Sequence, residues 1–381
     1  MKGLIIPRFT SEFWTPRQRQ ASPLHEISYR ACFKPQLPRY FIERLTTPDD
    51  VIYDPFMGRG TTVIEAVLLG RGAIGNDINP LCRILTEPRL NVPALAEIEE
   101  RLRTIDFDGE EGADIDLSMF YHRKTEAEIV SLRNYLARRK RTLEEDGVDR
   151  WIRMVATNRL TGHSAGFFSV YTLPPNQAAS QASQEKINKK RMQSPPYRDV
   201  KKLILRKSVS LLGKLSRVAR ARTKNGGART ILLNSDAWHT PEIKDEFVRL
   251  TVTSPPFLDI VNYSQDNWLR CWFNDIDPES IGGKITIARS VEDWARIMQK
   301  VFVELFRITA HRGFVAFEVG EIRKRNIKLD EVIAPLGVTA GFRCLGILIN
   351  LQRFTKTSNI WGVNNNEAGT NTNRIVLLQK T

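Results

Sequence analysis

Apolar positions in this chain fall into two rhythms. Val51-Ile52-Tyr53 is a short run of strand formers closed by Asp54. Residues 61–69 read as a helix, Ala73-Ile74 as a second strand leading to Asp77, and 95–105 as a further helix. From 110 to 229 the pattern is mainly polar and helical, broken by a Gln/Ser/Ala-rich stretch at 176–184 and a loop at Gln193-Ser194-Pro195-Pro196. Strand-like runs resume at Ile231-Leu232-Leu233 and at 248–252. A helix near 291–309, a strand at 314–317, a short helix near 329–334 and strands near 343–351 and 375–378 follow. Strands alternating with helices predict an α/β sheet, here interrupted by an inserted helical module. The expected units are 1–109, the insert at 110–229, and 230–381.

Charge sharpens that division. The 381 residues carry a net charge of +14, and 41% of them are apolar. Between Lys186 and Arg229 stand fifteen basic residues and a single acid, Asp199, so this stretch alone matches the whole net charge. Concentration of one sign points to a polyanionic partner; a solvated charged face is the plain alternative. Residues 198–222 are expected to form one helix. Ile204, Leu211, Leu215 and Val218 would lie on its apolar face, and Lys202, Arg206, Arg217 and Arg220 on the opposite one as DNA contacts. The longest apolar runs are far short of the ~20 residues of a membrane span, and the start lacks a signal-peptide pattern. The four cysteines, 32, 82, 271 and 344, form no C-x-x-C clip and no zinc spacing with His. Reduced thiols, a cytoplasmic protein, no metal and no membrane partner are the expectations.

Asp54-Pro55-Phe56-Met57-Gly58-Arg59-Gly60-Thr61-Thr62 lies between a strand and a helix. Its glycines let backbone approach a ligand at a helix N-terminus. Val63 stands where a dinucleotide fingerprint wants a third glycine, and there is no Walker lysine. Asp77, at the end of the next strand, can accept both hydroxyls of a ribose or simply cap the following helix. These residues resemble motifs I and II of the S-adenosylmethionine-dependent DNA amino-methyltransferase family, whose members methylate N4 of cytosine or N6 of adenine. The resemblance implies a Rossmann-like methyltransferase sheet and S-adenosylmethionine as cofactor. It implies Asp54, Phe56, Gly58, Gly60 and Thr61 around the cofactor, with Asp77 on its ribose; Arg59 is expected to point to solvent. Phe33-Lys34-Pro35 looks like motif X, which closes the methionine end. Asn234-Ser235-Asp236-Ala237 resembles motif III, with Asp236 and Ala237 beside the adenine. The insert then precedes motif III, a departure from the usual order.

Two segments carry a Ser-Pro-Pro-aromatic pattern. Ser194-Pro195-Pro196-Tyr197 follows a basic polar stretch that cannot be a buried strand. Ser254-Pro255-Pro256-Phe257 follows the β run 248–252 and fits motif IV, which ends a central strand. An exocyclic amine is a poor nucleophile, and acceptors aimed at its hydrogens stabilise the charge that develops. The Ser254 hydroxyl and Pro255 carbonyl can supply them, Pro256 holds the turn rigid, and Phe257 can stack on the base. The base must leave the duplex to reach such a pocket. Asn262 and Tyr263 are further candidates for the base pocket, and Glu318 reads as structural. No cysteine follows a proline, which disfavours a cytosine-C5 enzyme. The resemblance therefore implies a double-stranded DNA substrate, a lean to cytosine N4 through Ser254, and a companion restriction endonuclease as partner. Adenine N6, an RNA substrate and a silent nucleic-acid-binding module stay open beside it.

Overall fold

The computed structural model describes residues 6–15, 21–29, 32–109, 111–173, 178–256, 263–279, 290–322, 327–351 and 372–381. Strand β1 is Arg8–Ser11, helix α1 Gln36–Leu45, β2 Val51–Asp54, α2 Thr61–Leu68 and β3 Gly72–Asn76. The helices α3 Pro80–Thr86, α4 Leu95–Thr104, α5 Arg123–Arg141, α6 Gly147–Arg159, α7 Gln181–Arg191, α8 Val200–Leu212 and α9 Arg217–Gly227 follow. Then come β4 Thr230–Leu233, β5 Val248–Thr253, α10 Tyr263–Phe273, α11 Val291–Ile308 and β6 Thr309–Val319. A two-stranded ribbon, β7 Glu321–Ile322 with β8 Ile327–Lys328, leads to α12 Leu329–Thr339, β9 Arg343–Leu351 and β10 Thr372–Gln379.

The main sheet has the order β1-β9-β10-β6-β5-β2-β3-β4. Its pairs are parallel except where β10 runs antiparallel between β9 and β6. This is a Rossmann-like sheet with β2 and β5 side by side at its centre, Ile52 opposite Leu250 and Tyr53 opposite Thr251. The period-2 alternation of a strand sends successive side chains to opposite faces. Ile52, Ala73, Leu250, Val252, Ala316 and Ile375 enter one core with residues of α1 and α2. Tyr53, Ile74, Val315, Phe317 and Val376 enter a second core with residues of α11 and α12. Both faces are covered, as parallel strands require.

The insert lies in the crossover from β3 to β4 and is not a detached lobe. Trp151, Ile152, Val155, Ile204 and Leu211 are buried in the same core as Ile64 and Val67 of α2. The Trp151 indole donates to Ser208 Oγ at 2.9 Å, joining α6 to α8. The expected single helix over 198–222 is two helices. Ser216 caps α9, its hydroxyl accepting from Ala219 N at 3.1 Å, and the chain turns at 213–216. Val218, expected on the apolar face, is 59% exposed because the turn resets the helical phase. No helix of the described residues is long and apolar enough to cross a membrane.

Candidate active site

The candidate cofactor loop leaves β2 at Asp54 and enters α2 at Thr61. Gly60 has φ +75° and its N–H donates to Met57 O at 2.6 Å, so the loop closes tightly on the helix start. A Cβ at Gly60 would come within 2.4 Å of Thr86 Cγ2. Gly58, at φ +50°, takes the left-handed region that glycine favours. The missing third glycine of a dinucleotide fingerprint has a counterpart across the interface. Gly75 of β3 faces Val63, and a Cβ there would meet Val63 Cγ2 at 2.8 Å and Met57 Sδ at 2.6 Å. Close helix–strand approach is achieved from the strand side.

Asp77 follows β3. Its carboxylate accepts from Gly58 N at 2.9 Å and from Asn79 N at 3.0 Å, which locks the loop to the end of the neighbouring strand. Burial pushes its pKa up, and those two N–H donors pull it back. The Cys82 side chain is a third donor, which leaves the carboxylate one lone pair for an outside donor. The loop after β4 joins the same edge. Asn234 Nδ2 donates to Asp77 O at 2.6 Å, and Ser235 N donates to Asn76 Oδ1 at 3.0 Å. Asp236 is half-buried and Ala237 buried just beyond. Phe33 and Lys34 are half-buried and Pro35 buried at the entry to α1, which packs on α2. Burial and nearby Arg59 lower the Lys34 pKa.

Arg59 does not point to solvent. It is 7% exposed, its Nη1 donates to Ile27 O at 2.9 Å and its Nε to Thr61 Oγ1 at 3.3 Å. Segment 22–29 covers the loop and needs donors for its carbonyls; Arg89 supplies another to Leu24 O at 2.8 Å.

The Ser-Pro-Pro turn, the candidate catalytic segment, begins where β5 ends. Thr253 Oγ1 donates to Asp54 Oδ1 at 2.6 Å, and Thr62 Oγ1 donates to Val252 O at 3.0 Å. The cofactor loop and the Ser-Pro-Pro turn thus sit at neighbouring strand ends, tied by two buried hydrogen bonds. Burial raises the Asp54 carboxyl to about 7, against the Thr253 and Phe56 donors. The Pro256 carbonyl accepts from Trp294 Nε1 of α11 at 3.0 Å, which fixes the turn from the other side. Phe257 and Asn262 lie outside the described residues. Ser194–Tyr197 occupies the loop between α7 and α8, at no strand end, and the Tyr197 hydroxyl donates to Glu128 Oε1 at 2.7 Å.

One residue gains a part that its sequence context did not reveal. Glu318 of β6 is 8% exposed, and its carboxylate is hydrogen-bonded by the Ser254 side chain and by Asn373 Nδ2, the latter at 2.8 Å. Burial raises its pKa, and both donors oppose the rise. The link follows from register, since Thr253 stands opposite Phe317 in the β5–β6 pair. A Ser254 hydroxyl that donates to Glu318 keeps lone pairs on its oxygen for use as an acceptor.

Of the expected DNA contacts, Lys202 and Arg217 are exposed on separate helices. Arg206 is exposed with Nη2 donating to Ala165 O at 3.1 Å. Arg220 is half-buried and donates to Leu212 O at 2.8 Å, capping α8. The four do not share one helix face, because the turn at 213–216 separates them.

Residues 7–87, which hold β1, α1, the loop 54–61, Asp77 and all of α3, match the family model N6_N4_Mtase, described as DNA methylase. Over that span the chain is similar to DNA amino-methyltransferases. The Type II methyltransferase M.MjaII of Methanocaldococcus jannaschii is 42% identical over 62 residues, 16% of this chain and 12% of that protein. The Type II methyltransferase M.MvaI of Kocuria varians is 35% identical over 85 residues, 20% of this chain and 19% of that protein. The chain thus matches less than a fifth of the length of either relative. A solved SAM-dependent methyltransferase from Methanosarcina mazei aligns with 89% of this chain and 96% of its own at 9% identity and a TM-score of 0.35. Strand order carries the fold, and the likeness to DNA amino-methyltransferases lies in the N-terminal match.

Proposed function

We propose that this amino-methyltransferase moves a methyl group from S-adenosylmethionine to the exocyclic N4 amine of cytosine in double-stranded DNA. The observation that carries the reading is the pair of hydrogen bonds, Thr253 to Asp54 and Thr62 to Val252, which join a glycine cofactor loop to a Ser-Pro-Pro turn. The residues present fit the cofactor. Gly58 and Gly60 hold positive φ, and a side chain at Gly60 would fill space held by Thr86. Asp77 keeps acceptor capacity for ribose hydroxyls, Asp236 and Ala237 stand beside it for the adenine, and Phe56 flanks the loop. Phe33, Lys34 and Pro35 close the methionine end. When bound, S-adenosylmethionine supplies a sulfonium methyl as the electrophile.

The chain's own work is positioning. Ser254, oriented by Glu318, and the Pro255 carbonyl accept from the two amine hydrogens, so the nitrogen lone pair is freed from the ring as charge develops. Trp294 on the Pro256 carbonyl keeps that turn from relaxing. Ser254 stands at the motif position where adenine N6 enzymes more often carry Asp or Asn, and this favours cytosine N4. The basic stretch 186–229 supports a nucleic-acid substrate, and a companion restriction endonuclease is the partner this reading implies.

The test is incubation of plasmid DNA with methyl-labelled S-adenosylmethionine, followed by nucleoside analysis. N4-methylcytosine is expected. N6-methyladenine would overturn the base assignment while keeping amino transfer. No label in DNA would overturn the function.

A further inference from the structure

Among the described residues, a set of cations is crowded together across three helices. Arg159 ends α6, Arg206 and Lys207 lie on α8, and Arg270 lies on α10. They are graded in depth. Arg206 is exposed, Arg159 half-buried, the Lys207 side chain 12% exposed and Arg270 5% exposed. Arg206 Nη2 and Arg159 Nη1 converge on one spot, 3.4 and 3.9 Å from where a Cβ on Gly166 would stand. The Arg159 guanidinium is stacked on Phe167 at 4.0 Å and held by Asn158 Oδ1 at 2.7 Å. Its Nε is buried with no hydrogen-bond partner.

Compensation is thin. Among the described residues, the carboxylates acting on this group are Glu26, 3.6 Å from Lys207 and half in solvent, and Asp266 near Arg270. Four cations therefore face two carboxylates. Burial, and then the neighbouring cations, lower Arg159 to about 10 and Lys207 to about 8; burial lowers Arg270 as well. A folded chain that holds cations so close is short of an anion.

The location says which anion. Asn158 Nδ2 donates to Ser28 O at 3.2 Å, and the next residue, Tyr29, lies 3.6 Å from a Cβ built on Gly58. The cluster thus lies beside the cofactor loop, and Arg270 is on the helix that follows the catalytic turn. It is neither the exposed Lys202 nor the α9 cations. We infer that Arg159, Arg206 and Lys207, backed by Arg270, form a cradle for a backbone phosphodiester of the DNA bound at the catalytic turn. This rests on the DNA reading above. A phosphate would satisfy the Arg159 and Arg206 forks together, as planar guanidinium donors suit phosphate oxygens.

The test uses the full chain and a fluorescein-labelled 40-base-pair duplex, with anisotropy titrations at several KCl concentrations. Arg206→Gln and Lys207→Gln change an exposed residue and relieve repulsion, so both fold even if Arg159→Gln does not. For Arg206→Gln/Lys207→Gln, affinity should fall on the order of tenfold, and the slope of log affinity against log salt should flatten by about 0.9 for each phosphate no longer neutralised. Lys207→Arg should keep the slope, and calorimetric affinity for S-adenosylmethionine should be unchanged in every variant. Wild type with no duplex affinity would overturn the DNA reading and the cradle together. Wild type that binds, with variants of unchanged slope, would overturn the cradle alone. So would variants that lose cofactor affinity instead.

Discussion

Gly60→Ala tests whether the cofactor loop is shaped by the space the structure assigns it. Gly60 holds φ +75°, where a Cβ costs roughly 1–2 kcal/mol. The new methyl would also stand 2.4 Å from Thr86 Cγ2, 2.5 Å from its Oγ1 and 3.0 Å from its Cβ. Turning χ1 of Thr86 offers little relief, because both branches and the Cβ are in the way. Overpacking of this kind costs roughly 1–3 kcal/mol. The substitution should therefore destabilise by about 2–5 kcal/mol, read as a lower urea midpoint at unchanged m-value. Thr86→Ala removes both branches and a buried hydroxyl that has no partner, so alone it should cost about 1 kcal/mol or less. In the double variant the crowding term disappears while the left-handed strain stays. A coupling of about 1–3 kcal/mol, the size of the crowding term, is the signature in the double-mutant cycle. Calorimetric affinity for S-adenosylmethionine should fall in Gly60→Ala and partly return in the double variant. Additivity within about 0.5 kcal/mol would refute the reasoning, since two residues in steric conflict cannot act independently.

Ser254→Ala should lower kcat by roughly two orders of magnitude with cofactor affinity unchanged, measured by labelled-methyl transfer and calorimetry; equal turnover would remove Ser254 from the reaction. Glu318→Gln tests the positioning of Ser254 through the pH profile. Glu318 has a raised pKa, so wild-type kcat should fall as pH drops through it, while the variant should be slower and lack that limb. An identical profile in both would sink the link. Asp54→Asn tests stability against pH. The Asp54 carboxyl is raised from 3.8 to about 7, so the stability its protonated form contributes is complete below about pH 4 and is lost as pH rises through 7. An amide keeps the Thr253 and Phe56 bonds without ionising, so thermal melts should favour Asp54→Asn increasingly between about pH 4 and 7 and level off above, and parallel curves would refute it.

The parts of this molecule that local patterning dictates were legible in the sequence. A β run ending in Asp54, a glycine pair and a helix start can form one compact arrangement, and the chain adopts it. The choice between Ser194 and Ser254 rested on whether a buried strand precedes each, and 248–253 is such a strand while 189–193 is not. What escaped depended on contacts distant in sequence. Arg59 turns inward because carbonyls of segment 22–29, folded over the loop, need donors, and nothing in the loop itself announces that cover. Glu318 meets Ser254 through strand register, 64 positions apart. The helix over 198–222 broke where Ser216 could cap a new one, a local signal that the longer apolar stripe concealed. Charge gave a similar half-answer. Counting placed the basic excess in 186–229, but the most crowded cations pair α8 of that stretch with Arg159 and Arg270, which lie outside it. The shared core explains this: α6 and α8 are packed into one apolar cluster with α2, so their polar edges meet beside the cofactor loop. A substitution that loosens the Trp151–Ser208 contact should therefore disturb the cation cluster as well as the stability of the insert, because one packing interface positions both.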